Sequence, residues 1–340
     1  MTGAVGPATD VLQRVPETWL QRAFTATAWD PTLKRSEHAE LARRRVLGAD
    51  HAWAYTAADG QTACAWMSAR PWDTEFFGIE MALMGLEGDV HFDAVQALLP
   101  MVFEQARRDG VRHLRTPQRA GSPETLHALQ SHGFQLRWAS VQIACDTRTL
   151  APTRATPPPE LRFVDGTPDH LPSLLAAARR VGPYNWPEFD EALAPSKRSH
   201  YVAQRIENCL LTPFADQSMV ALWRDRPVGL HASATCTHEF AGEIGQIGRD
   251  FAYVRETFVA PDCPPHIGAH LLRTATRALG ETVRYATGRV RLDGLSMLNT
   301  SLTSGYRIVG NNGRHANQEV LHFHVHIFGG RQIGGRMIKS

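Results

Sequence analysis

At 340 residues the chain is long enough for two domains, each able to bury a core of its own. Apolar residues make up 43% and charged residues 21%, the balance of a globular protein, and a net charge of +2 without a lysine-rich run argues against nucleic acid, DNA included, as a partner. No run of about 18 uncharged apolar residues occurs, and MTGAVGPATDVLQRVPETW has no basic segment leading into an apolar one. The expectation is a cytoplasmic protein with no membrane partner. Cys64, Cys145, Cys209, Cys236 and Cys263 are scattered without a C-x-x-C pair, which speaks against a disulfide framework or a cysteine zinc site.

In chain order, SEHAELARRRVL has helical spacing and no breaker. HAWAYTAADGQTACAWMSARPW alternates on both sides of Asp59-Gly60 and reads as a hairpin. WDTEFFGIEMALMGL reads as an aromatic-rich turn and a strand, with Phe76 and Phe77 as core anchors. Val95, Leu98, Leu99, Val102, Phe103 and Ala106 predict a helix from Phe92 to Arg108, stopped by Asp109-Gly110. VRHLRT is a short strand, SPETLHALQSHGF a capped helix ending at Gly133, and QLRWASVQIACD an alternating strand. Three consecutive prolines in ATPPPE, residues 155–160, cannot continue a helix or central strand. They place a linker between a first domain, 1–154, and a second, 161–340.

After the linker, LRFVDG predicts a strand, LPSLLAAARR a helix, VGPYNWPEFD an irregular aromatic loop and SHYVAQRIENCLL a second helix. SMVALWRDRPVGLHASATC is a hairpin, with His231 and His238 expected as polar surface residues. EFAGEIGQIGRD reads as a Gly-rich loop, YVRETFVAP as a strand, HIGAHLLRTATRAL as a helix and GRVRLDGLSML as a strand. Asn299 and Tyr306 then stand seven apart across a short helix.

This order resembles the GCN5-related N-acetyltransferase (GNAT) fold. In that family the fourth strand feeds a loop of pattern Q/R-x-x-G-x-G/A whose backbone amides hold the coenzyme A pyrophosphate. Here the register puts Cys263 where Gln or Arg is usual and His266 where the first glycine is usual, and Gly268 remains. Within that family the chain resembles the dTDP-fucosamine acetyltransferase type, through PWDTEFFGIEMAL, SPETLHALQSHGFQL, YVAQRIENCL, and Asn299-Thr300 with Tyr306. The resemblance implies a mixed α/β (α+β) class with two lobes. The central sheet would be mostly antiparallel and flanked by helices, and the first lobe degenerate.

It also implies an acetyl-CoA or other acyl-CoA donor, held by Phe258, Val259, His266, Ile267, Gly268 and Ala269, and a small polar amine as acceptor, such as an aminosugar or nucleotide-linked sugar. Tyr306 would be the acid that protonates the leaving thiolate, since a phenol with pKa near 10 keeps its proton until the thiolate develops. Asn299 would order the site, and Glu256 is the candidate base; a solvent-facing strand carboxylate is the alternative for Glu256, and packing on the sheet for Tyr306. Tyr184, Asn185, Trp186 and Asp190 either line the acceptor site or plug the seam between the domains. Self-association is left open.

The tail GYRIVGNNGRHANQEVLHFHVHIFGGRQIGGRM, 305–337, resembles the closing part of histidine triad (HIT) nucleotide hydrolases and transferases. Alternation puts His322, His324 and His326 on one strand face. By that resemblance His324 would be the nucleophile on phosphorus, with Asn311, Gln318 and His326 beside the phosphate. Glu319 replaces the usual small hydroxyl residue, and what precedes Gly305 is acetyltransferase-like sequence rather than the first half of a HIT domain. Zinc on His322, His324 and His326 is the intermediate alternative. The preferred expectation is that this tail supplies the last two strands of an acetyltransferase-like sheet.

Overall fold

The computed structural model describes residues 4–7, 46–88, 90–117, 123–150, 156–181, 183–235, 251–264, 266–292 and 294–309. The first lobe contains β1 (Ala4–Pro7), β2 (His51–Thr56), β3 (Thr62–Ala69), α1 (Pro71–Phe77), β4 (Met81–Gly88), α2 (Phe92–Arg108), β5 (His113–Arg115) and α3 (Pro123–Ser131). The rest of the described chain contributes β6 (Ser140–Asp146), β7 (Leu161–Asp165), α4 (Leu171–Val181), α5 (Pro195–Leu211), β8 (Gln217–Trp223), β9 (Arg226–Thr235), β10 (Phe251–Val259), α6 (Ile267–Leu279), β11 (Tyr285–Arg291), α7 (Leu295–Thr303) and β12 (Arg307–Val309). The strands form a sheet in the order β1-β2-β3-β4-β5 and another in the order β12-β6-β11-β10-β9-β8-β7. Among the described strands, only β4 with β5 and β10 with β11 run parallel; every other described pair is antiparallel, as the expected class requires.

Local chemistry accounts for most of these elements. The β2–β3 hairpin closes at Gly60, whose φ of 85° suits a residue without a side chain. α2 buries Val95, Leu98, Leu99, Val102 and Ala106 against the first sheet, and Gly110 follows it at φ 70°. The β8–β9 turn places both Arg224 and Asp225 at positive φ, the geometry that matches the twist of a two-residue hairpin.

Three expectations change. The run GRVRLDGLSML, expected as one strand, divides at Gly294: β11 ends at Arg291, and Leu295 onward is the helix α7. The aromatic stretch after Arg70 is the helix α1 rather than a turn, because Pro71 opens it and Gly78, in the left-handed region, closes it with an N–H to the Thr74 carbonyl. The strand before the proline segment, β6, pairs with β11 from Ser140↔Arg291 to Asp146↔Tyr285 and lies inside the second sheet. The 155–160 segment therefore does not separate the two sheets, since a strand's membership is set by its partner and not by its position along the chain. β12 pairs with the other edge of β6, so Arg307–Val309 joins the acetyltransferase-like sheet as expected; the strand expected over His322–His326 lies outside the described residues. No described helix is long and apolar enough to cross a membrane.

Candidate active site

β10 and β11 pair only over Phe251–Tyr253 and Tyr285–Thr287. Beyond Tyr253, β10 continues along β9 to Val259 while β11 continues along β6 to Arg291, so the two parallel strands part into a fork. A register shift between Val254 and Glu256 marks a bulge at Arg255, which bends β10 at the parting. Ligands favour such places, outside the carboxyl ends of diverging parallel strands.

Just past the bulge stands Glu256, 4% exposed and paired across strands with Ala232. Its Oε2 accepts from Arg205 Nε on α5 at 2.9 Å, and Arg205 also donates to the Arg255 carbonyl. The alternative of a solvent-facing carboxylate is therefore replaced by a buried ion pair. Around it lie Tyr184 and Glu188 from the 183–190 loop. Burial pushes the Tyr184 phenol well above its ordinary pKa, and the Glu256 charge adds to the rise. Glu188 Oε2 accepts the Tyr184 and Asn185 amides at 2.8 and 2.7 Å, fastening the loop to itself. Burial raises the Glu188 carboxyl above its usual range, those two amides pull it down, and the Glu256 charge pushes it up again. At the far end of β11, Arg291 donates to the Pro183 carbonyl at 2.7 Å and lies 4.2 Å over the Phe189 ring. Two carboxylates, two guanidiniums and a phenol thus converge beside the fork.

The expected acceptor loop divides between two tasks. Tyr184 joins the carboxylates, whereas Trp186 and Asp190 face the first lobe. Asp190 Oδ2 meets His113 Nε2 at 2.8 Å, Arg115 lies 4.2 Å over the Trp186 ring, and Trp186 packs with Phe77 and Tyr201. The hydrogen bond from His113 holds the Asp190 carboxyl below its usual range.

At the coenzyme end, Phe258 and Ile267 are core residues, Val259 is partly buried against that core, and Gly268 and Ala269 lie in the first turn of α6. A Cβ on Gly268 would stand 3.6 Å from Thr300 Cγ2 on α7. His266 sits at φ 82° as the residue before α6, in the backbone conformation that glycine favours, which accounts for glycine being usual at this position of the resembled loop. The first-turn amides of α6, like those of any helix, have no intrahelical acceptors, and its N-cap residue His266 makes no capping hydrogen bond to them. No acidic residue stands in that turn. The equivalent crossover helix of the first lobe, α2, differs on both counts: His91 Nδ1 accepts the Ala94 amide, and Asp93 adds negative charge. The fork with the uncapped start of α6 fits an acyl-CoA; the start of α2 does not.

Tyr306 is 2% exposed and packs with Ile143, Cys145 and Leu272, and its hydroxyl bonds Thr276 Oγ1 on α6 at 2.8 Å. Burial raises its pKa further above the ordinary phenol value. This placement anchors α6 to the sheet. Asn299 is exposed on α7, where its carbonyl accepts from Thr303 Oγ1 at 2.8 Å. His231, expected on the surface, is fully buried, with Nδ1 on Thr257 Oγ1 at 2.9 Å and Nε2 without a partner. Asn311, Gln318, His322, His324 and His326 lie outside the described residues, and among the described residues no group of three or more side chains is placed to hold a metal ion.

Sequence reasoning missed Glu188, Arg205 and Arg291. Glu188 had a local signal, the Asn-x-x-Glu spacing of a capping box from Asn185. Arg205 and Arg291 had none, because their partners are distant in sequence.

A family model for the HIT domain matches residues 263–333. The chain is 54% identical over 36 residues to an uncharacterised 13.2 kDa HIT-like protein of Azospirillum brasilense, 11% of this chain and 30% of that one. It is 36% identical over 58 residues to a purine nucleoside phosphoramidase of Escherichia coli, 17% of this chain and 44% of that one. The chain thus spans less than half the length of these curated relatives. By structure it is similar to a GCN5-related N-acetyltransferase from Sphaerobacter thermophilus, with a TM-score of 0.54 and 15% identity over 90% of this chain and 92% of that chain. The described part of the HIT-matching stretch forms α6, β11, α7 and β12, all within or against the second sheet. The chain has the GCN5-related N-acetyltransferase fold, and the segment that completes its second sheet carries HIT-domain sequence.

Proposed function

We propose that the chain is an N-acyltransferase that uses an acyl-CoA donor and a small polar amine, an aminosugar or nucleotide-linked sugar, as acceptor. The observation that carries this reading is the buried Glu256 at the fork, fixed by Arg205 and grouped with Tyr184 and Glu188. When bound, acyl-CoA supplies the activated acyl group. Glu256 accepts the proton that the acceptor nitrogen must lose, directly or through one water, as the N–C bond forms and the C–S bond breaks; the thiol regains a proton from solvent. Arg205 holds the carboxylate in place, and the Tyr184–Glu188 loop closes the acceptor side. Tyr306 takes no step in this account, its hydroxyl being engaged by Thr276 inside the core.

The test is calorimetric titration of acetyl-CoA and of AMP into the same preparation, followed by thiol release with glucosamine as acceptor. Acetyl-CoA should bind, and Glu256→Gln should retain that binding while losing transfer. A preparation that ignores acetyl-CoA, or a Glu256→Gln variant of undiminished turnover, would defeat the reading.

The HIT match favours a second reading, phosphoramidate or nucleotide ester hydrolysis through His324. It requires AMP to bind and His324→Ala to abolish release of AMP from adenosine phosphoramidate.

A further inference from the structure

We propose that the first lobe is a clamp whose parallel strand pair, β4 with β5, grips the acceptor loop of the second lobe, with His113 as its main positioning residue. The inference rests on the acyltransferase reading for its kinetic consequence, though not for the clamp itself. The first lobe repeats the architecture of the fork. β4 and β5 pair in parallel only over Met81–Leu83 and His113–Arg115, after which β4 runs on to Gly88 along β3 alone. The coenzyme end of this second fork is closed by the capped, acidic start of α2. The neighbouring lobe packs on the paired segment before the parting, where the Asp190 carboxylate sits on His113, the partner of Met81, and the Trp186 ring lies under Arg115, the partner of Leu83.

Both members of the His113–Asp190 pair are nearly buried, and Arg137 brings a further cation within 4.0 Å of Asp190. Phe77, Met81, Leu193 and Tyr201 form the apolar floor of the same contact. The gripped segment is internally bonded: the Asp190 amide donates to the Pro187 carbonyl, and the Glu188 amide to the Asn185 carbonyl. A displacement of Asp190 is therefore passed to Glu188 and Tyr184, the groups beside Glu256. A lobe whose own coenzyme end is closed thus offers the paired ends of β4 and β5 as a socket for this turn.

The test compares wild-type full chain with His113→Ala and His113→Gln, the latter retaining a side-chain N–H for Asp190. Hydrogen exchange should rise about tenfold over residues 183–192 in His113→Ala, leave the β8–β9 hairpin unchanged, and return to the wild-type rate in His113→Gln. With acetyl-CoA and glucosamine, the KM for glucosamine should rise about tenfold in His113→Ala while the KM for acetyl-CoA and kcat change less than about twofold, with rescue by Gln. Unchanged exchange over 183–192, faster exchange across both lobes, or no rescue by Gln would each overturn the clamp. If wild-type protein transfers nothing to glucosamine, that acceptor falls from the proposed function, and the exchange measurement still decides the clamp.

Discussion

Arg205 Nε and Glu256 Oε2 stand 2.9 Å apart, one on a helix of the second lobe and the other just past the bulge where β10 leaves β11. The pair is the rigid centre of the site, because a buried carboxylate keeps its orientation only when a buried partner holds it. Arg205→Leu leaves Glu256 buried without its cation, and should cost about 3–5 kcal/mol in urea unfolding. The double variant Arg205→Leu, Glu256→Leu should recover most of that loss. Losses that simply add would show that the two side chains do not depend on each other.

Tyr306→Phe removes one hydrogen bond to Thr276, whose hydroxyl still has the Leu272 carbonyl as acceptor. The expected cost is about 1 kcal/mol of stability, with turnover little changed. A loss of kcat of about a hundredfold, the range of a missing general acid, would restore the acid role implied by the family resemblance.

His266→Gly tests the backbone at the start of α6. A non-glycine residue at φ 82° carries about 1 kcal/mol of strain, so the substitution should leave stability unchanged or improve it, despite the freedom glycine adds to the unfolded chain. Acetyl-CoA affinity, read by calorimetry, should rise, because a backbone position without Cβ allows closer approach of a phosphate. A destabilised variant would mean that the imidazole makes a contact outweighing the strain.

Acid should weaken the fold through His231. Burial pushes its pKa down to about 4, from an ordinary value of 6.5. Between those values the unfolded chain binds a proton that the folded chain does not, so stability falls as pH drops through this window. The full loss is about 3 kcal/mol. His231→Gln keeps a partner for Thr257 and should flatten the profile between pH 7 and pH 4, as measured by urea midpoints. Parallel profiles for the two proteins would exclude His231 as the source.

The sequence by itself determined the periodic parts of this protein. The helix over Phe92–Arg108, the two hairpins and the strand and helix on either side of His266 follow from spacing and turn residues, because those signals act over a few neighbouring positions. That His266 stands where the resembled loop has glycine was legible too, whereas its left-handed backbone came only from the structure. The HIT-like tail was equally legible as sequence, and its first strand, Arg307–Val309, takes its expected place.

Only the tertiary structure decided which of these elements cooperate. It moved Ser140–Asp146 into the second sheet, gave Glu256 a guanidinium 51 residues away, engaged Tyr306 with Thr276, and turned Trp186 and Asp190 toward His113 and Arg115. Each of these depends on burial and on partners remote in the chain. A side chain's charge, orientation and proton affinity are set by what surrounds it in space, which local spacing does not encode.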